Sequence, residues 1–260
     1  MRKMIWNILV SSMVLAIPSV RANEAEVDDG EFKFPTAADY PKVRTNGSKP
    51  IDFVPKGWKI LGQCTGDLNG DRAADAAIAV QANYARFKQP NKFLGNAEFD
   101  TNPRMLIILF KDPLKKNFHL AEQPSSIIPI PDGPNMEEPF ESIKIKERTL
   151  QLATKVFFSA GSWFTSSSIY KFKYLNSKFY LVGAEVTEFQ RNSGEETLLS
   201  YNFYSNKLKK VTSNGVTEDI NEEPSNKKRV KWINLPKRKL RAMSSFKKIG
   251  EWTVFGDYSL

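Results

Sequence analysis

The chain holds one cysteine, Cys64, and one histidine, His119, in 260 residues. A single cysteine excludes an internal disulfide, so stability must come from packing and from any metal the fold binds. Cys64 reads as a small buried hydrophobe on a strand, ahead of a reactive thiol or a dimer link. Cys64 and His119 form the one thiol–imidazole pair available as nucleophile and base. No orienting motif surrounds either residue, and both fall on expected strands. Ser162, in Ala160-Gly-Ser-Trp163, lacks the flanking glycines of a nucleophile elbow. Glu137 and Glu138 could join a third acid for glycoside hydrolysis, but 29 acidic residues supply many such pairs by chance. No long amphipathic helical repeat is visible. After residue 22 no segment is long and apolar enough to cross a membrane.

The first residues do carry a signal. Arg2 and Lys3 precede a mostly apolar Ile5–Ile17, and Val20-Arg21-Ala22 places small residues where a signal peptidase reads. Residues 1–22 therefore read as a cleaved secretory signal, and the mature chain is expected to be periplasmic or secreted. An apolar fraction of 41% with 12% aromatics is enough to build a core, which excludes a wholly disordered chain. The net charge of +9 falls to +6 once Arg2, Lys3 and Arg21 are removed. That bias is too mild for a nucleic-acid binder.

Residues 23–50 are polar, acidic at first, then rich in Pro, Asn and Gly, and read as a linker. Strands are expected at Lys59–Cys64, Ala76–Gln81 and Phe118–Glu122, with Met105–Phe110 a continuous apolar run of the kind buried on both faces. Residues 84–103 read as an extended hairpin excursion. Five prolines between Pro124 and Pro139 predict irregular structure. Short β-branched and aromatic runs then recur at Phe140–Lys146, Leu150–Phe158, Ser167–Tyr174, Lys178–Val186, Glu195–Tyr204 and Lys207–Thr212. Turns at Glu147-Arg148, Asn176-Ser177, Arg191–Gly194 and Ser205-Asn206 separate them, which spells an antiparallel meander. The expected fold is all-β: a blade-like sheet over 51–130, a β-meander over 137–215, and a basic, partly irregular segment over 216–260.

Between Asp67 and Asp75 the chain reads Asp-Leu-Asn-Gly-Asp-Arg-Ala-Ala-Asp. Oxygen-bearing side chains fall at positions one, three, five and nine: Asp67, Asn69, Asp71 and Asp75. Position seven, Ala73, offers its carbonyl. Alternate residues of a curled loop can converge on Ca²⁺, which takes six to eight oxygens. Calcium would relieve the repulsion among three carboxylates and pin the turn between two strands. The rival is a hydrogen-bonded Asx turn without an ion. Position six is Arg72 where such loops favour glycine, and a left-handed backbone costs a non-glycine residue about 1–2 kcal/mol.

Thr65–Val80 resembles one calcium loop and strand of an FG-GAP or VCBS-type repeat, the blade unit of integrin-like β-propellers. The resemblance implies calcium held by Asp67, Asn69, Asp71 and Asp75, and one four-stranded blade over Phe53–Glu122. A single loop of this kind does not imply a whole propeller. The stretches Glu138–Lys146 and Gly161-Ser-Trp163 resemble a family of bacterial exported β-rich proteins that brings no activity with it.

Lys227–Arg241 carries eight basic residues around Trp232 and Leu235. As a patch it would grip an anionic envelope component, with Trp232 as interfacial anchor; the duller reading is a solvated tail. Aromatics from Trp163 to Tyr180 alternate at strand spacing and should mostly fill the core. Together these features point to an exported binding or structural protein with one calcium-type loop. The competing expectation is an envelope hydrolase acting on polysaccharide or peptide.

Overall fold

The computed structural model describes residues 32–92, 94–125, 127–213, 228–246, 248–256 and 258–259. The signal-like residues 1–22 and the start of the expected linker lie outside them. In chain order the strands are β1 (Asn46–Gly47), β2 (Trp58–Gly66), β3 (Asp75–Ala82), β4 (Lys88–Pro90), β5 (Glu98–Asp100), β6 (Arg104–Lys111) and β7 (Phe118–Glu122). They continue as β8 (Phe140–Lys146), β9 (Thr149–Val156), β10 (Phe164–Leu175), β11 (Lys178–Gln190), β12 (Glu196–Asn202) and β13 (Lys207–Ser213). The last are β14 (Lys228–Asn234), β15 (Arg241–Ala242), β16 (Thr253–Phe255) and β17 (Tyr258–Ser259). The protein is all-β and its strand pairings are antiparallel.

The first sheet has the order β1-β7-β6-β3-β2. Its four main strands run up and down in sequence, the pattern of a blade. The excursion between β3 and β6 makes the small β4–β5 hairpin. All eight residues of β3 are buried, as are the first seven of β6. Residues of one strand alternate between two faces, so this sheet must be covered on both sides. Ala77, Ala79, Leu106, Ile108 and Phe110 face one core. Ala76, Ile78, Val80, Met105, Ile107 and Leu109 face another, which Val43, Phe53 and Trp58 cover.

That second core corrects the expectation of a linker for residues 32–50, the described part of 23–50. Within that part, β1 pairs with β7, Gln123 bonds the backbone of Pro41 and Val43, and Thr101 donates to the Lys33 carbonyl at 2.6 Å. The segment is polar in composition because it supplies backbone partners and only a few anchors.

The second sheet is a meander, β8 to β14 in sequence order. The expected hairpins are present with small boundary shifts. Glu147, Arg148, Asn176 and Ser177 all take positive φ, the two-residue turn that suits the strand twist. The basic segment differs from expectation: its first half is β14, hydrogen-bonded to β13 through seven residue pairs. β12 begins its pairing with β11 at Gly183, and β15 occupies the neighbouring place beside Tyr180 and Leu181.

The sheets meet where β2 lies against β8. Two glycines allow the approach: a Cβ on Gly62 would fall 3.2 Å from the Phe140 ring, and one on Gly66 would fall 2.6 Å from Ile145 Cγ2. Both sheets and the C-terminal Phe246, Ile249 and Val254 share one apolar core, and the described residues belong to one compact unit.

Candidate functional site

The loop between β2 and β3 curls as its spacing predicts. Gly70 and Arg72 both turn left-handed, at φ 90° and 68°, so position six of the bend is met by arginine. Asp67 accepts the N–H of Gly70 at 2.6 Å and of Arg72 at 3.2 Å. Asn69 Oδ1 accepts from the Asp71 N–H at 2.9 Å, and Asp71 Oδ1 from the Ala73 N–H at 2.7 Å. Asp71 Oδ2 takes the Asn69 side-chain amide at 2.9 Å. These are Asx turns in series.

Asp75 differs from the others. Its side chain is fully buried. One oxygen accepts the Leu68 N–H at 2.8 Å, and the other accepts the Lys111 N–H at 2.9 Å. It therefore ties the loop to β6. Burial pushes its carboxyl above the ordinary value, while those two N–H groups pull it back. A second cation-bearing element closes in from the meander. The Arg148 guanidinium, in the β8–β9 turn, lies where a Gly70 side chain would be, 2.5 Å from the Cβ position.

In donor type Asp67, Asn69, Asp71, the Ala73 carbonyl and Asp75 suit a hard cation, and each carboxylate oxygen keeps a lone pair beyond the bond it accepts. In placement they close on N–H groups of the chain itself. Among the described residues no three acidic, histidine or cysteine side chains meet as a metal centre.

The catalytic pairings open to the sequence are not assembled. Cys64 and His119 lie on β2 and β7, with β3 and β6 between them. Burial pushes the Cys64 thiol up to about 11, the opposite of activation. His119 is exposed and meets the Phe110 ring edge-on at 5.8 Å. Ser162 bonds within its own turn, to Phe164. Glu137 pairs with Lys155 at 2.9 Å and Glu138 with Arg104 at 2.6 Å, so each acid answers a different cation.

The basic strand builds a second feature. On the outer face of the meander, Lys209 sits across from Trp232, its Nζ 5.9 Å from the ring centroid. Trp232 is 65% exposed. With Lys171, Glu185, Lys207 and the polar side chains of Ser200, Asn202 and Ser205, the pair lines an open groove of about 690 Å³. Lys171 is taken by Glu185 at 2.6 Å. Lys207 and Lys209 have no carboxylate partner among the described residues, nor do Lys228, Arg229 and Lys231 on β14.

Compared with family models, curated proteins and solved structures, the chain matches none of them. The reading of function therefore rests on these two places. Sequence reasoning found the cations and Trp232 but missed the strand that aligns them with Lys207 and Lys209. The signal was weak: Val230 and Trp232 alternate with Arg229 and Lys231, but cations fall on both faces.

Proposed function

We propose that the protein is an exported binding module that holds an anionic polysaccharide of the cell envelope in the groove between Lys171 and Trp232. The observation that carries this reading is a pair of ammonium groups, Lys207 and Lys209, with no carboxylate partner among the described residues, beside an exposed indole over a floor of hydroxyl and amide groups. Sugar rings stack on an indole, the floor bonds their hydroxyls, and the cations take their carboxylates or phosphates. A groove suits a chain better than a flat lipid surface does. Titration with polygalacturonate tests this. Binding should weaken as salt rises from 50 to 300 mM. Trp232→Ala and Lys209→Ala should each lower affinity by about tenfold, the scale of 1.4 kcal/mol. Unchanged binding in both variants, or capture by anionic lipid vesicles without capture by the polymer, overturns the reading.

We further infer a structural Ca²⁺ at Asp67, Asn69, Asp71, the Ala73 carbonyl and Asp75. The left-handed Arg72, which completes the bend, favours it. A ligand that binds only the folded state raises the melting midpoint. Calcium should raise it over chelator in the wild type and not in Asp67→Ala plus Asp71→Ala. An absent shift, or the same shift in both proteins, removes the ion.

A further inference from the structure

On the opposite face of the meander from the groove, a cavity of about 310 Å³ lies under the segment Lys248–Glu251. Strand register dictates its floor. Ser166 stands between Val156 and Glu188, and Ser168 between Thr154 and Val186. The next inward row is Leu152, Tyr170 and Ala184, all core residues. The two rows beyond it carry three hydroxyls and a carboxylate among their six side chains. Thr154 and Ser168 are only 7% and 8% exposed, and Tyr170 is 3% exposed. Burying such groups costs free energy unless they find partners. The Tyr170 hydroxyl is bonded with Ser168 and Thr154. Walls of Val156, Phe164, Met136 and Ile249 are apolar.

The carboxylates around the cavity outnumber its ammonium groups, and all but one of them are ion-paired. Lys248 bonds Asp132 at 2.7 Å and Glu251 at 3.0 Å. Lys155 bonds Glu137. Glu188 alone has no ion pair among the described residues. Burial raises its carboxyl above the ordinary value, and Lys210 acts against that through space; the Lys210 Nζ is held over the Tyr258 ring at 5.9 Å. Beside Glu188, from β12, the Tyr201 hydroxyl is buried with no hydrogen-bond partner among the described residues. Gly250, at φ 91°, brings the covering segment close to the floor; a Cβ there would lie 4.0 Å from the Tyr170 hydroxyl.

An ionised carboxylate only accepts, and serine and threonine hydroxyls accept as readily as they donate. The ammonium groups at the rim, Lys155 and Lys248, are already committed to carboxylates. The cavity therefore offers acceptors around one unpaired negative charge, in a volume at the small end of ligand pockets. We propose that it binds a small primary amine as its ammonium cation, held by Glu188 with Ser166 and Ser168 as further acceptors and its carbon chain against Val186, Phe164 and Ile249. Lysine-rich surfaces elsewhere on the molecule repel such a ligand, so selectivity comes from the cavity alone.

Calorimetric titration with 1,4-diaminobutane tests this, with glucose as a neutral hydroxylated comparator. The diamine should bind at one site per chain in the wild type and in Lys209→Ala. Glu188→Gln keeps the shape, and its fold is checked by circular dichroism. It should weaken binding by about tenfold or more, the scale of one charge-assisted bond. Ser168→Ala, which leaves Glu188 in place, should give a smaller loss and guards against a misfolded variant. Absence of diamine binding at millimolar concentration overturns the proposal. So does equal affinity in wild type and Glu188→Gln. Glucose binding that survives Glu188→Gln would make this a polyol site and overturn the amine assignment.

Discussion

Arg104 is only 3% exposed, and a guanidinium that is buried needs partners. Its guanidinium meets Glu138 through two bonds, of 2.6 and 2.9 Å, and donates a third to the Pro129 carbonyl at 2.7 Å. Glu138 also accepts the Phe140 N–H at 2.9 Å, so the pair fastens β6 to the entry of the meander. Glu138→Ala leaves a buried cation with one carbonyl partner. It should cost roughly 3 kcal/mol, and Arg104→Met with Glu138→Leu should recover most of that; urea unfolding measures both. Glu122 makes a pH prediction. Burial raises its carboxyl above 4.5, against Phe179 N–H and Lys178. The folded state then holds its proton more tightly than the unfolded state. This contribution is present below the unfolded value and is lost as pH rises through the folded one. Glu122→Gln should flatten that decline in urea midpoints read upward from pH 4. Individual residues were the least legible level of the sequence. The spacing of Asp67, Asn69, Asp71 and Asp75 was plain, but Asp75 bonds the Lys111 N–H across 36 positions, and no local pattern encodes that. The same holds for Glu188, whose lack of an ion pair among the described residues depends on where β9, β13 and the segment around Lys248 place their cations.

Strands and turns were read far better. Phe118–Glu122 and Phe140–Lys146 appear with their expected limits, because alternation and turn residues act over a few positions. Met105–Phe110 showed its two-sided burial directly, as an unbroken apolar run. β14 was hidden because an edge strand needs no apolar face; only Ile233 is even half-buried in it. Its cations also discourage pairing with a second chain. The close contact of β2 with β8 was equally invisible, since glycine in a strand does not say what approaches it. Gly66→Ala would drive Cβ to 2.6 Å from Ile145 Cγ2. The expected loss is about 1–3 kcal/mol. Adding Ile145→Ala should make the pair less than additive in denaturant midpoints, the sign of a direct clash.

For the molecule as a whole, the blade-like sheet and the meander were each legible, but their union was not. One of the two cores draws on both sheets. Hydrophobic burial is non-directional, so an apolar face in the sequence does not name its partner. The physical consequence is cooperativity. Calorimetry should show a single unfolding transition, with calorimetric and van't Hoff enthalpies in agreement. A fragment of residues 32–130 would leave Ala77, Ala79, Leu106, Ile108 and Phe110 uncovered, and should fail to give a sharp melting transition by circular dichroism.

Tyr180 and Leu181 belong to the middle of the meander, yet the backbone groups that seal them come from Arg241 and Ala242. During synthesis the hairpins up to β13 can zip in order as they emerge. The centre of the sheet stays ajar until Ala242 has left the ribosome. A translation product halted anywhere before Ala242 would carry a permanently unlatched strand end, ready to recruit a chaperone or another unfinished chain.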